Sequence, residues 1–362
     1  MKHNYLISGI KLVFGVFSLL LLTTSCDKEE SSGEYADGVF IANEGGFGSN
    51  NGSISFYSNN TDSVYNNIFY SVNNRSLGDV VQSVTVHKNK AYIVVNNSNK
   101  VEIADKNTFQ EEGVISDVSL PRHFIAQENT GYLSCWGDNS VKVIDLETNT
   151  VTQSIPVATG PEKMCIVGNK LYVVNTGGYS VDSVVSVIDL TSLEVVKNII
   201  VKYSPQDIVV DKNNKIWVLC FGKVVYDIVD PYPIIEESPS KIYEIDPETD
   251  EWILEGELFQ DQHPTQLEIS NDGVMYLGGG YTFCGIYRLE IEGGSGTLTQ
   301  IVADYVYGLN IDPESNILYT LQAPSYTDPG ILKRFELDGT LLGTYECGIG
   351  PNSASFKSTP LF

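Results

Sequence analysis

A unit of about 40 residues recurs along this chain, and no other feature narrows the fold as far. The stretch LPRHFIAQENTGYLSCWGDNSVKVIDLETNTVTQSIPV, residues 120 to 157, aligns with GPEKMCIVGNKLYVVNTGGYSVDSVVSVIDLTSLEVVKNIIV, residues 160 to 201. Both match the segments that open with SPQDIVVDKNNKIWVLCFG at 204 and HPTQLEISNDGVMYLGGGYTFCGIYRLEI at 263. Each unit reads as four short runs of β-branched and aromatic residues. Asn-Lys or Asn-Asp-Gly joins the first two runs, and Asp-x-x-Thr or a similar turn joins the last two. No stretch sustains a helical period. The pattern predicts an all-β, seven-bladed β-propeller with four-stranded blades.

First strands are expected from Val80, Pro121, Pro161, Pro205, Pro264, Gly308 and Pro351. The last segment, PNSASFK, has no strands after it, while Val39 opens as a second strand lacking a first. The C-terminal strand is therefore expected to complete the N-terminal blade and close the ring, which removes exposed sheet edges. A β-solenoid is the alternative, with shorter repeats and open ends.

Loop lengths divide the two ends of such a ring. On one face the connections are short, as at Lys88-Asn89-Lys90 and Asn271-Asp272-Gly273. On the other, the loops between second and third strands grow long in adjacent blades: 44 to 52 in blade one, 175 to 183 in blade four, 221 to 240 in blade five, GGGYTFC in blade six and QAPSYTDPG in blade seven. Length without structural need on one face marks a binding surface. Phe47, Asn50, Tyr179, Phe221, Tyr226, Tyr232, Tyr281, Phe283 and Tyr326 fall in these loops and, with Trp136 in the short loop of blade three, are candidate ligand contacts. Aromatic surface beside amides suits a large, partly apolar, amide- or hydroxyl-rich ligand. Some of these rings are expected to pack beneath their own loops instead. The insertion at 221 to 240, with Pro231, Pro233 and Pro239, reads as a clamp.

The chain carries a net charge of −24 over 362 residues, which argues against nucleic acid and strongly anionic ligands. Nucleophile-elbow, zinc-protease and phosphate-loop motifs are absent from the sequence, and the chain is read as a binding protein with no required cofactor. His123 and His263 neighbour the first strands of blades three and six and join the candidate ligand contacts, with loop hydrogen bonding as the competing role. A three-histidine metal site would need His87 to join them. A calcium-dependent lactonase with scattered acidic ligands stays open as an alternative. Cys135, Cys165, Cys220, Cys284 and Cys347 lie within or beside apolar runs and read as free thiols, with a single disulfide left open.

The N-terminus resembles a bacterial lipoprotein signal: an apolar run from Leu12 to Leu22 leads into Thr23-Thr24-Ser25-Cys26. This resemblance implies a signal peptide over 1–25, lipidation of Cys26 and a tether over 26–36, followed by the propeller over 37–358. Thr23 departs from the usual Leu at that position, and a secretory signal with an incidental Cys is the competing reading. Asp27-Lys28-Glu29-Glu30 resembles the acidic tag of surface lipoproteins in some Gram-negative gut bacteria.

The repeat LYVVN…VSVIDL, followed by a Pro-led strand, resembles the YncE-like seven-bladed propellers across 38 to 357. With Cys26, the acidic tag and FIANEGGFGSNNGSISFY, the chain looks like the BtuG-type cobalamin-binding surface lipoproteins. That resemblance implies capture of cobalamin or a related corrinoid at the outer membrane and handover to a BtuB-type TonB-dependent transporter. Another transporter cargo, such as a ferric siderophore or a glycan, and an adhesion or assembly propeller are the alternatives.

Overall fold

In a computed structural model, residue 1 and residues 33–357 apart from 281, 282, 293 and 294 are described. Seven four-stranded antiparallel sheets follow one another, the seven blades of a β-propeller. The first strands of blades two to seven begin at Val81, Pro121, Pro161, Pro205, Gln266 and Gly308. Cys26, with residues 2–25 of the signal and most of the tether, lies outside the described residues, as does Tyr281.

The ring closes through the C-terminus. Pro351–Ser355 pairs antiparallel with Gly38–Asn43, setting Phe40 opposite Ser355 and Ala42 opposite Ser353. The N-terminal segment thus supplies the three outer strands of blade one, and the last strand of the chain supplies the innermost one.

Local sequence explains the blade. Strands such as Lys90–Val95 and Lys170–Asn175 sit second in their sheets and are buried on both faces, so they are almost wholly apolar. The outermost strands, such as Glu194–Ile200, alternate exposed and half-buried residues. The Asp-x-x-Thr and similar joints are side-chain-closed turns: Asp105 Oδ1 accepts the Asn107 and Thr108 amides at 2.9 and 2.7 Å, and Asp189 Oδ1 accepts those of Thr191 and Ser192 at 2.9 and 2.8 Å.

Among the described residues no strand ladder joins one blade to the next, and buried apolar layers, side-chain latches and single backbone bonds such as Gly52 N to the Gly78 carbonyl at 3.0 Å hold them together. Tyr172, Val174, Val185 and Val187 of blade four pack against Ile208, Val218, Cys220 and Tyr243 of blade five. Near the centre, Ser83 Oγ donates to the Arg122 carbonyl at 2.9 Å, Asp207 Oδ2 accepts the Leu267 amide at 2.9 Å, and Asn310 Oδ1 accepts the Ala354 amide at 2.7 Å. Each latch reaches from one innermost strand to the next. All five described cysteines are unbonded, four of them buried.

Three features depart from the expectations. Tyr35, placed in the tether, is buried against Phe56 and Phe109 with ring centroids 5.3 and 6.1 Å away, so packed structure starts before 37. A short helix, Ile68–Asn73, follows blade one and buries Ile68 and Phe69 in the same core layer. The insertion in blade five folds as a hairpin of its own, Lys223–Tyr226 paired with Ile234–Ser238.

Candidate functional site

The innermost strands bring one position of the repeat to the centre of the ring. Its occupants include Gln82, Arg122, Glu162 and Asn352, each the second residue of its strand. Arg122 Nε lies 3.0 and 2.9 Å from the two Glu162 oxygens, its Nη2 lies 2.8 Å from Oε1, and its Nη1 donates to Gln82 Oε1 at 2.6 Å. His123 Nε2 adds a contact to Glu162 Oε1 at 3.1 Å. Burial pushes the Glu162 carboxyl up, but the Arg122 charge and the bonds from His123 and Arg122 outweigh it and hold it at about 2.

Deeper in the ring, Lys163 Nζ meets Asp207 Oδ2 at 2.5 Å, and Glu268 accepts from Asn310 Nδ2 at 3.0 Å. Burial pushes the Glu268 carboxyl up to about 7; Lys163 pulls it down, and the Asp207 charge adds to the rise.

Above this centre, on the long-loop face, lies a cavity of about 650 Å³. It is lined by the 44–49 segment of blade one, Val80, Gln82 and Asn96 of blade two, Arg122 of blade three, and Tyr307, Tyr326 and Thr327 of blade seven. Phe47 and Tyr326 stand on its rim, 79 % and 55 % exposed. Glu44 belongs to its floor and accepts from Tyr307 Oη at 3.1 and 3.2 Å and from Asn352 Nδ2 at 3.0 Å. Burial pushes the Glu44 carboxyl above the usual carboxylate range, against the hydrogen bonds from Asn352 and Tyr307.

The nine-residue loop from 44 to 52 is held at both ends and in the middle. The Glu44 and Gly45 amides donate to the Gly350 and Ile349 carbonyls at 2.8 and 2.9 Å, and Gly46 N donates to Asn51 Oδ1 at 2.9 Å. Gly48 N donates to Asp79 Oδ2 at 2.9 Å, and the buried Asp79 also takes Asn97 Nδ2 at 2.6 Å. Gly45 has φ +77°, and a Cβ there would lie 2.4 Å from Asn51 Oδ1, so the loop requires glycine at that turn. The loop's length is thus spent on holding an exposed aromatic ring over a cavity.

The remaining sequence candidates distribute as follows. Trp136 lies under Arg122, whose Cζ is 4.0 Å from the ring centroid, and meets Tyr179 edge-on at 5.7 Å. These two rings extend an aromatic ledge from the Arg122 side of the cavity. Asn50 sits in the loop with φ +58° and does not line the cavity. Tyr226 and Tyr232 are exposed on the blade-five hairpin and also stand outside the lining. Phe221 stacks on His263 at 4.7 Å, and His263, 5 % exposed, bonds the Phe221 carbonyl and Glu237 Oε1 at 2.5 and 2.9 Å. Phe283 is buried against Phe259 and Tyr287. His87 bonds the Glu128 carbonyl at 2.8 Å, so the three histidines keep separate partners. Among the described residues, no group of three His, Cys, Asp or Glu is gathered as a metal site.

Sequence reasoning missed Glu44, Gln82, Asn96 and Tyr307. For Gln82 the available signal was the repeat itself, because Gln82, Arg122 and Glu162 stand 40 residues apart.

Residues 37–231, more than half of the chain, match a family model described as "Domain of unknown function (DUF5074)". No curated protein matches the sequence. A quinonprotein alcohol dehydrogenase-like protein from Bacteroides thetaiotaomicron VPI-5482 is similar in structure, with a TM-score of 0.63 at 17% identity over 90% of this chain and 79% of that one. Hydrazine synthase from Kuenenia stuttgartiensis is similar with a TM-score of 0.60 at 15% identity, over 76% of this chain and 88% of that one. At such identities the likeness is one of fold.

Proposed function

The chain belongs to the family described as a domain of unknown function, DUF5074, and from the geometry of the long-loop face and the sequence of the N-terminus we propose that it is a non-catalytic binding lipoprotein. In this reading it captures cobalamin or a related corrinoid at the cell surface and passes it to a BtuB-type TonB-dependent transporter of the outer membrane. The observation that carries the binding role is the cavity of about 650 Å³, with Phe47 and Tyr326 on its rim and a polar floor. Such a volume falls within the range of about 300–1,000 Å³ typical of small-molecule sites.

Electrostatics favour a cargo with little net charge. Arg122 is already paired with Glu162, and the chain as a whole carries −24, so an anionic ligand gains no free cation at the cavity. A corrinoid, with roughly 90 non-hydrogen atoms, exceeds a drug-sized ligand, so the cavity would seat one edge while Trp136, Tyr179 and the loop rims cover more of it. The anchor is part of the same proposal: Cys26 carries the lipid, and labelled palmitate entering the wild type but not Cys26→Ala would test it.

Calorimetry with cyanocobalamin, ferric siderophores and host glycans tests the cargo. One-to-one binding of cyanocobalamin without added metal is the expected result, and a folded protein that gives no heat or spectral change with any corrinoid would reject it. One observation favours a protein-contact role beside this one. The blade-five hairpin exposes Ile228, Val229, Tyr232 and Ile235 together, an apolar tip of the kind that marks protein interfaces.

A further inference from the structure

The polar side chains that line the cavity differ in what they have left to offer. Gln82 and Asn96 are half-buried amides of blade two, and each already ties one end to blade three. Gln82 meets Arg122 Nη1 at 2.6 Å, and a guanidinium only donates, so the atom facing it is Oε1. Asn96 meets the Pro121 carbonyl at 2.9 Å, and a carbonyl only accepts, so the atom facing it is Nδ2. Obligatory partners thus fix which way round both amides stand. What remains is the Gln82 Nε2 donor and the Asn96 Oδ1 acceptor. Neither has a partner among the described residues, and neither is one of the buried polar atoms left without one, so both are open to the cavity that their residues line.

The backbone brings these two free ends together. Val81 pairs with Val95 and Ser83 with Val94, so Gln82 is the extra residue of a β-bulge, and a bulge re-aims the side chain it carries. The Asn96 amide donates to the Val80 carbonyl at 2.8 Å, which keeps Asn96 on the same strand pair, one position past Val95. Diagonal neighbours on such a pair lie about 7–8 Å apart, within reach of long side chains. Their anchors, Pro121 and Arg122, are consecutive residues, so both side chains lean the same way. Fixing one end of each amide also orders the other, which lowers the entropy lost on binding.

We propose that Gln82 and Asn96 are the specificity-determining pair of this cavity and read a primary carboxamide or lactam of the ligand. Gln82 Nε2 donates to the ligand's carbonyl oxygen, and Asn96 Oδ1 accepts from the N–H on the same edge of the amide. The pair needs the cavity to be the ligand site, as proposed for this face, and does not need the ligand to be a corrinoid. A ketone keeps the first bond but leaves Asn96 Oδ1 facing a group that cannot donate. A carboxylate turns an oxygen toward Asn96 Oδ1 and is repelled, while Arg122 is already held by Glu162. Such mismatches cost affinity because a polar group of the site is left unpaired or opposed.

The test uses the whole chain with benzamide, acetophenone and benzoate. These probes share nearly one shape and present a carbonyl with N–H, a carbonyl alone and two acceptor oxygens. Binding is followed by NMR titration, with melting curves confirming that each variant is folded. Wild type should bind benzamide about fivefold more tightly than acetophenone, the effect of one net hydrogen bond, and benzoate most weakly. Asn96→Leu should bring benzamide down to the level of acetophenone and leave acetophenone no weaker. Gln82→Met should weaken both and leave benzamide ahead. If Asn96→Leu does not fold, the wild-type series and Gln82→Met decide. Equal binding of benzamide and acetophenone by wild type, a preference for benzoate, a benzamide advantage that survives in folded Asn96→Leu, or no benzamide binding to folded wild type would overturn the assignment. Failure of cyanocobalamin alone, with the benzamide pattern intact, would reject the corrinoid cargo and uphold the pair. Cyanocobalamin binding without the benzamide pattern would reject the pair and keep the cargo.

Discussion

Arg122 holds its guanidinium 4.0 Å above the centre of the Trp136 ring while its Nε and Nη2 grip the carboxylate of Glu162. One side chain thus joins the innermost strands of blades three and four, the floor of the cavity and the aromatic ledge that ends at Tyr179. The fork geometry of arginine is what allows this. A flat, delocalised cation can stack on indole and chelate a carboxylate at once, whereas a lysine can serve one partner at a time.

Removing Arg122 should therefore cost stability as well as shape. Glu162 is buried, and breaking a buried pair from one side typically costs about 3–5 kcal/mol because the other charge is left uncompensated. Arg122→Ala should lower the denaturation midpoint sharply, and Arg122→Lys should recover only part of the loss. In a double-mutant cycle with Glu162→Ala, the two losses should be far from additive. A single-mutant effect below about 1 kcal/mol would show that the pair is not structural.

The ring's closure gives a second expectation. The last strand pairs with Gly38–Asn43 and is latched on both sides, through Asn310 to Ala354 and through Asn352 to the Gln82 carbonyl at 2.9 Å. Arg334 of blade seven reinforces the same joint by lying 4.4 Å over the Tyr57 ring of blade one. Ending the chain at residue 349 should expose the edge of Gly38–Asn43 and remove a large part of the ~5–15 kcal/mol that holds a typical domain. Scattering and thermal melting should show association and a lower midpoint. A monomer with unchanged melting would contradict the closure.

Stability should also pass through a maximum with pH, because two central carboxyls pull in opposite directions. Glu162, ordinarily at 4.5, sits at about 2 in the fold. Its contribution is full above pH 4.5 and is lost as the pH falls toward 2. Glu268 moves from 4.5 to about 7, so it costs nothing below pH 4.5 and progressively destabilises as the pH rises to 7. Each displacement corresponds to about 3 kcal/mol. Glu44, also raised, adds to the alkaline side. Melting temperature should peak between these limits, and Glu268→Gln should flatten the alkaline limb alone. An unchanged alkaline limb in that variant would show that Glu268 ionises freely in the fold.

The repeat made the blades legible. Proline opens the first strands at Pro121, Pro161, Pro205 and Pro351, where the chain enters from a loop and needs no amide in the ladder. In blade six the strand waits until Gln266, two residues beyond Pro264, whose neighbour His263 is engaged with Phe221 and Glu237. The helix Ile68–Asn73 escaped notice because six residues are too few to show a period, and it is fixed by burying Ile68 and Phe69. The rim of the cavity was readable, since Phe47 and Tyr326 are aromatics in loops too long for their strands. The floor was not. Tyr307 and Glu44 lie 263 positions apart, and Asn352 and Glu44 lie 308 apart, so only closure of the ring brings them together.

That separation of rim from floor yields the most discriminating experiment on where a ligand sits. Two sets of exposed aromatics compete. Phe47 and Tyr326 overhang the cavity of blades seven, one, two and three, while Tyr226 and Tyr232 decorate the blade-five hairpin. If the cavity is the site, Phe47→Ala and Tyr326→Ala should each weaken cyanocobalamin binding by ~2 kcal/mol or more, and the hairpin substitutions should be nearly neutral. Asp79→Ala should weaken it too, without touching the ligand. Asp79 pins the loop at Gly48 N, and its loss lets Phe47 wander, so ordering the ring must then be paid for on binding. The signature is a faster dissociation rate with Phe47 itself intact, read by stopped-flow alongside an unchanged fold. The opposite ranking, with Tyr226→Ala and Tyr232→Ala harmful and Phe47→Ala silent, would move the ligand to the hairpin and leave the cavity without this role.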